Sequence, residues 1–198
     1  MNLRESMKMT TKIRYLCLIT LLVAISGCNS LTTPKNDSTE KHRSYYPLNV
    51  GNFWEYRVLE GNDFDASITE KKSIHDTTYF VVNISNGGQN LLRSQDSSIY
   101  RRTNNKDYIV LKFNATLNRS WTADSSERQT YIDSRGFKWK VPAGTYEDCI
   151  RVVSVSRIDS TITIFAPGVG PIWSQMYGKN GVIVIAGGQS LTQFKLNQ

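Results

Sequence analysis

The chain has 198 residues, the size of one domain with enough apolar side chains to close a core. Its formal charge of +7 overstates its basicity: Arg4, Lys8, Lys12 and Arg14 crowd the amino terminus, and without them and Glu5 the rest carries 20 basic against 16 acidic residues, a net of +4. That excess favours solubility and makes no case for nucleic acid as a partner.

In chain order, Met1 to Tyr15 is basic and Leu16 to Ile25 is apolar. An apolar helix of about ten residues cannot cross a hydrocarbon core of roughly 30 Å, which needs about twenty. Residues 1–27 therefore read as an export signal and not as a permanent membrane helix. The signal ends in Ile25-Ser26-Gly27-Cys28, which resembles the lipobox of bacterial lipoproteins. The resemblance implies thioether attachment of diacylglycerol to Cys28, cleavage before it, and often acylation of the new amino group. Ser26 and Gly27 are small enough to enter a narrow peptidase site, and the thiol is the nucleophile that lipid transfer requires. At about 0.8 kcal/mol per buried methylene, two or three acyl chains hold a protein durably on a bilayer. The lipid bilayer, through acylated Cys28, is thus the first partner. Asn29 stands where Asp would mark inner-membrane retention in enteric lipoproteins, and no acidic cluster follows Cys28. By those family rules the expected address is the outer membrane, facing the periplasm. Of the cysteines, Cys17 leaves with the signal and Cys28 is consumed by lipid. Only Cys149 remains, so no disulfide forms within one mature chain.

Residues 28–44 form the lipidated cysteine and a tether. Asn29 to Ser44 is polar with a single leucine and no apolar period. Such a segment cannot bury itself and as a coil spans on the order of 20 Å. His42 lies in it.

Residues 45–198 read as one β domain. Trp54, Tyr56 and Val58 alternate with Glu55 and Arg57, and Phe137, Trp139 and Val141 with Lys138 and Lys140, placing apolar and polar groups on opposite faces. Tyr79 to Ile84, Tyr108 to Phe113, Ile150 to Val155, Thr161 to Phe165 and Val182 to Ala186 are β-branched or aromatic runs. Turn signals fall between strands at Gly61-Asn62-Asp63, Asn86-Gly87-Gly88, Asn104-Asn105, Ser134-Arg135-Gly136, Lys179-Asn180-Gly181 and Gly187-Gly188. No stretch after Cys28 keeps a helical period for three turns. The expected fold is all-β: an antiparallel sandwich or an open half-barrel of about ten or more short strands. A membrane-spanning barrel needs strands of about nine to eleven alternating residues, longer than most of these runs. Ile109-Val110-Leu111 and Val182-Ile183-Val184-Ile185 are apolar on both faces, where a sandwich strand is wet on one. They read either as central strands covered by a loop or hairpin, or as strands of a curved sheet lining an apolar hollow.

Three motifs stand in order: Tyr46-Pro47-Leu48 with Gly51-Asn52-Phe53-Trp54-Glu55-Tyr56; Val141-Pro142-Ala143-Gly144-Thr145-Tyr146, followed by Cys149-Ile150-Arg151-Val152; and Ala166-Pro167-Gly168-Val169-Gly170-Pro171-Ile172. Together they resemble uncharacterised bacterial envelope lipoproteins with a Tyr-Pro-Leu…Gly…Trp-x-Tyr opening, a Val-Pro-Ala-Gly-Thr-aromatic centre and an Ala-Pro-Gly-Val-Gly block. The resemblance covers about residues 46–177 and brings no activity, cofactor or ligand. In those relatives a charged residue often stands near Trp173 and a tyrosine near Phe165, and this chain departs from both. On backbone grounds alone, Pro142 can end a strand, Gly144 can take φ > 0 in the turn that follows, and Pro167-Gly168 with Gly170-Pro171 demands a kinked crossing. As the alternative, ordered loops on a β scaffold carry contacts. Pro142, Ala143, Gly144 and Thr145, and Pro167, Gly168, Val169, Gly170 and Pro171, are then the expected partner-contact loops.

Chemistry-bearing residues are sparse. There is no Gly-x-Ser-x-Gly, and His75 is the one histidine of the folded part, beside Asp76 at an expected hairpin turn. His75 with Cys149 is too few ligands for zinc. The acidic turn Asn62-Asp63-Phe64-Asp65 lacks the calcium-loop pattern, and no glycine-rich loop leads into a helix to cradle phosphate. Cys149 heads an apolar strand and reads as a buried thiol. Glu70, Asp76, Glu127 and Asp148 are the candidates for a glycosidase carboxylate pair. The four tryptophans and ten tyrosines read mostly as core, with a minority available to line a ligand face. The sequence therefore implies an envelope lipoprotein with a non-catalytic binding or assembly role, no cofactor and no metal. Its partner is an envelope protein or a hydrophobic ligand. The alternatives are a periplasmic carrier of a hydrophobic ligand or lipid, and a glycan-acting hydrolase.

Overall fold

The computed structural model describes residues 44–124, 127–178 and 188–197. The chain divides into a unit Met1–Thr39 and a unit Glu40–Gln198, and the described residues all belong to the second. Cys28, the export signal, His42 and the expected strand Val182 to Ala186 lie outside them.

Among the described residues twelve strands form: β1 Phe53–Val58, β2 Phe64–Ile74, β3 Thr77–Ile84, β4 Gln89–Gln95, β5 Ser98–Thr103, β6 Lys106–Lys112, β7 Trp121–Thr122, β8 Gln129–Val141, β9 Gly144–Val155, β10 Asp159–Ala166, β11 Gly170–Gly178 and β12 Gln189–Lys195. They make one sheet in the order β6-β5-β4-β3-β2-β1-β12-β11-β10-β9-β8-β7. Each half of the chain is thus a meander of neighbouring strands, and the antiparallel pairing of β1 with β12 joins the two. The edge strands β6 and β7 approach each other, and the Trp121 indole N–H donates to the Ile109 carbonyl at 2.9 Å. The sheet is nearly closed and barrel-like, and no helix occurs among the described residues. Of the two forms left open by the sequence, a single curled sheet forms and not a two-sheet sandwich. Curling brings the free edges together, where they are shielded from pairing with other chains.

The alternation in β1 works as the sequence requires: Trp54 is 1 % and Tyr56 3 % exposed while Arg57 faces solvent. The barrel interior joins Leu48, Ile68, Ile99, Leu111, Ile132, Ile150, Ile172 and Leu191 in one cluster. At about 25 cal/mol per Å² of apolar surface removed from water, this cluster dominates folding.

Two local expectations are corrected. Ser134-Arg135-Gly136 does not reverse the chain but lies within β8, where the register against β9 slips between Ile132 and Ser134 and again between Arg135 and Phe137. Gly136 takes φ +68° there, so the turn-forming residues serve bulges that bend a long strand. β6, apolar on both faces, is an edge strand and not a central one; its register against β5 slips at Val110, and Ile109 and Val110 stay half-buried. Strands β2, β4, β5, β7, β11 and β12 escape the sequence reading. In β2, Thr69 to Ser73 is exposed and polar, held by backbone pairing to β3 instead of by burial.

Candidate functional site

The three motifs converge at one end of the barrel. The segment from Ser44 to Leu48 crosses this end. Gly168 N–H donates to Ser44 O at 2.9 Å, Tyr45 OH donates to Asp148 O at 2.8 Å, and the Tyr46 ring sits 5.7 Å from that of Trp54 and 6.4 Å from that of Phe165. Asn52, fully buried, ties the segment before β1 to the stretch after β12: its amide donates to Pro47 O at 2.9 Å, and its side-chain carbonyl accepts from Asn197 N–H at 2.8 Å. The opening motif grips the last one through two carbonyls. Trp54 Nε1–H donates to Val169 O at 2.6 Å, and Tyr56 OH to Pro171 O at 2.8 Å. Gly170 takes φ +117°, and a Cβ there would lie 3.3 Å from Trp54 Nε1. Burial pushes the Tyr46 phenol up to about 12, and burial followed by the neighbouring Tyr46 raises Tyr56 well above the usual range. Both phenols stay neutral, and that of Tyr56 keeps its proton for Pro171 O.

Pro142 and Ala143 form the β8–β9 turn, and Ala143 N–H donates to Leu191 O on β12 at 3.1 Å. The tip of this long hairpin therefore folds back onto the middle of the sheet. Pro142 and Thr145 are exposed, Ala143 and Gly144 half-buried. In the other loop, Val169 and Gly170 are buried, and Pro167, Gly168 and Pro171 half-buried. Since Val169 and Ile172 belong to the core cluster, the surface this loop offers to a partner consists of Pro167, Gly168 and Pro171. Cys149 is fully buried, and desolvation raises its thiol to about 11 against the opposing backbone hydrogen bond from Trp139.

Toward β5, β6 and β8–β11 the inner face mixes polar and apolar side chains. A cavity of about 320 Å³ is lined by Arg101 and Val110 from the first meander and by Thr130, Val152, Ser154, Thr161, Thr163, Phe165 and Met176 from the second, with Ala123, Asp124 and Arg128 at its side. Strand register explains the lining. Thr130, Ser154, Thr161 and Met176 are successive partners across β8, β9, β10 and β11 and so share one face. The Thr130 and Ser154 hydroxyls lie 2.6 Å apart. Arg128 is neutralised by Asp159 at 2.7 Å and Asp124 at 3.8 Å. Arg101, opposite Leu92 in the ladder, points inward, and its buried Nε has no hydrogen-bond partner. The apolar hollow was one of two readings of the sequence; this cavity adds hydroxyls and guanidinium groups to its apolar lining.

No family model matches the sequence, and no curated protein matches it. Among solved structures, the chain is similar to a candidate exported protein with a YmcC-like fold from Bacteroides fragilis: 10 % identity over 78 % of this chain and 100 % of that one, TM-score 0.51. The fold is YmcC-like. A candidate lipoprotein from Parabacteroides distasonis aligns at 14 % identity over 77 % of this chain and 99 % of that one, with a TM-score of 0.44.

The other face of the first meander carries a charge cluster in this YmcC-like sheet. Asp107 accepts from Arg93 Nε at 2.6 Å and from Tyr79 OH at 2.9 Å, with Arg102 at 3.4 Å. Arg93 lies 4.1 Å over the Tyr100 ring. Partial burial works to raise the Asp107 pKa, but the hydrogen bonds from Arg93 and Tyr79 and the two guanidinium charges outweigh it and hold the carboxyl below its usual range. The cluster is internally satisfied, which suits a structural clasp across β3 to β6.

His75 and Asp76 form the β2–β3 turn, both exposed with positive φ. Glu70, Asp76, Glu127 and Asp148 are exposed on separate elements, and none lines the cavity. Among the described residues no group of three His, Cys, Asp or Glu gathers in ligand geometry. The cavity residues escaped the sequence reading. The available signal was Thr161-x-Thr163-x-Phe165, a strand whose hydroxyls alternate with Ile162 and Ile164.

Proposed function

We propose that the chain is an envelope lipoprotein, anchored by acylated Cys28 in the outer membrane on its periplasmic side, whose barrel has a non-catalytic binding or assembly role. The observation that carries this reading is the docking of residues 44–48 into the barrel end through Ser44, Tyr45, Tyr46 and Leu48. Residues 44–48, which follow the expected tether, are part of the fold, and Cys28 lies sixteen residues before Ser44. The description of the Bacteroides fragilis neighbour as exported agrees with this compartment. A binding role is supported by the cavity, whose hydroxyls and guanidinium groups stand beside apolar side chains and suit a small ligand with polar groups. A hydrolase is less well supported: Asp124 and Asp159, the carboxylates nearest the cavity, are both tied to Arg128, and a glycosidase needs one carboxyl free to give and take a proton.

The test is palmitate labelling with membrane fractionation. The wild-type protein is expected to take up label and sediment with membranes, and Cys28→Ala to lose both. Label that persists in Cys28→Ala overturns the anchor. Turnover of glycan or ester substrates by the pure protein, abolished by one carboxylate substitution, overturns the non-catalytic role.

A further inference from the structure

We propose that the interior cavity is a binding site for a small organic anion, its carboxylate or phosphate group seated on Arg101 and its hydroxylated body along Thr130, Ser154, Thr161 and Thr163. The inference rests on the reading of the barrel as a binding module, but not on lipidation.

Four observations converge on it. The cavity holds about 320 Å³, the lower end of the range for small-molecule sites. Its hydroxyls stand in cross-strand rows on β8, β9 and β10, a rigid donor and acceptor surface facing an interior that a core of this size ordinarily fills with aliphatic side chains. Arg128 is ion-paired with Asp124 and Asp159, whereas among the described residues half-buried Arg101 has no ion pair and no partner for its buried Nε. A buried guanidinium N–H without an acceptor carries a cost that an anion seated on it offsets. Its planar donor fork matches a carboxylate or a phosphate. Val152, Phe165 and Met176 complete the wall and leave room for the carbon skeleton.

The test is titration calorimetry on the full-length protein in detergent, with D-glucuronate and glycerol 3-phosphate as probes, D-glucose and glycerol as their uncharged counterparts, and inorganic phosphate alone. At least one organic anion is expected to bind, its uncharged counterpart to bind at least about tenfold more weakly, and Arg101→Met to weaken the anion at least about tenfold, the loss of one charge-assisted hydrogen bond. Thr161→Val, which keeps the side-chain shape, is expected to weaken the organic anion and leave inorganic phosphate unchanged. This variant decides the matter if Arg101→Met fails to fold. No binding by either organic anion, or unchanged affinity in Arg101→Met or in Thr161→Val, overturns the proposal. Failure here with capture of a lipid or a protein partner leaves the binding module standing. Chemical conversion of the probe, read by NMR after the titration, counts against the non-catalytic role instead.

Discussion

Tyr56→Phe isolates the grip of the opening motif on the loop after β10. The ring stays, so the stack on Phe64 at 5.0 Å is retained and no cavity opens. Only the hydroxyl that donates to Pro171 O at 2.8 Å is lost. Tyr56 is 3 % exposed and Pro171 half-buried, so the carbonyl left without its donor is partly screened from water. A donor removed from such an acceptor costs about 1–3 kcal/mol, with the lower end expected here. For a domain of this size that lowers the melting temperature by about 2–12 °C, at about 2–4 °C per kcal/mol. Urea titration of the full-length protein in detergent is expected to show a lower midpoint with an unchanged slope, the mark of lost stability without a change in the surface exposed. Trp54→Phe removes the neighbouring bond to Val169 O, and because both bonds hold one loop, the double variant is expected to be non-additive by at least about 0.5 kcal/mol. A loss below about 0.5 kcal/mol for Tyr56→Phe, with additivity in the double variant, would show that the loop carbonyls rehydrate freely and that the aromatic grip contributes nothing.

Gly170→Ala combines a positive φ with a Cβ placed 3.3 Å from the Trp54 indole, and a loss of about 1–3 kcal/mol is expected in the same urea assay; a neutral result refutes the close approach. Asp107 has a folded pKa below its unfolded value, so its contribution is present above the unfolded pKa near 3.9 and is lost as pH falls through the folded pKa. Asp107→Asn is therefore expected to lower the urea midpoint at pH 7 and to narrow its gap from wild type as pH falls below the unfolded pKa near 3.9; a gap that does not depend on pH removes the carboxylate from the account. The Cys149 thiol, buried and raised to about 11, is expected to react with a disulfide reagent at pH 7 only after denaturation, and prompt reaction of the native protein would place it at the surface.

The all-β character of this protein was legible in local chemistry. A period-2 alternation such as Trp54-x-Tyr56 or Phe137-x-Trp139-x-Val141 commits one face to burial whatever the partner strand is. A pair such as Asn104-Asn105 or His75-Asp76, placed at positive φ here, carries its turn in two residues. The exposed carboxylates and the buried Cys149 follow from the same local reading. The closure of the sheet did not. Whether antiparallel strands stack as two sheets or curl into one depends on how bulges in β2, β8 and β11 accumulate twist, and on which edge meets which. Ser134-Arg135-Gly136 therefore reads as a turn in sequence and serves as a bend in the fold. Polar strands such as β2 and β4 exist because backbone pairing to a neighbour completes them, and that neighbour is invisible in their own residues. The motifs were recognisable as a set, but Trp54 and Val169 stand 115 positions apart. Their hydrogen bond, like the convergence of Arg101 with the hydroxyls of β8, β9 and β10, is created only when the curled sheet brings the two meanders face to face.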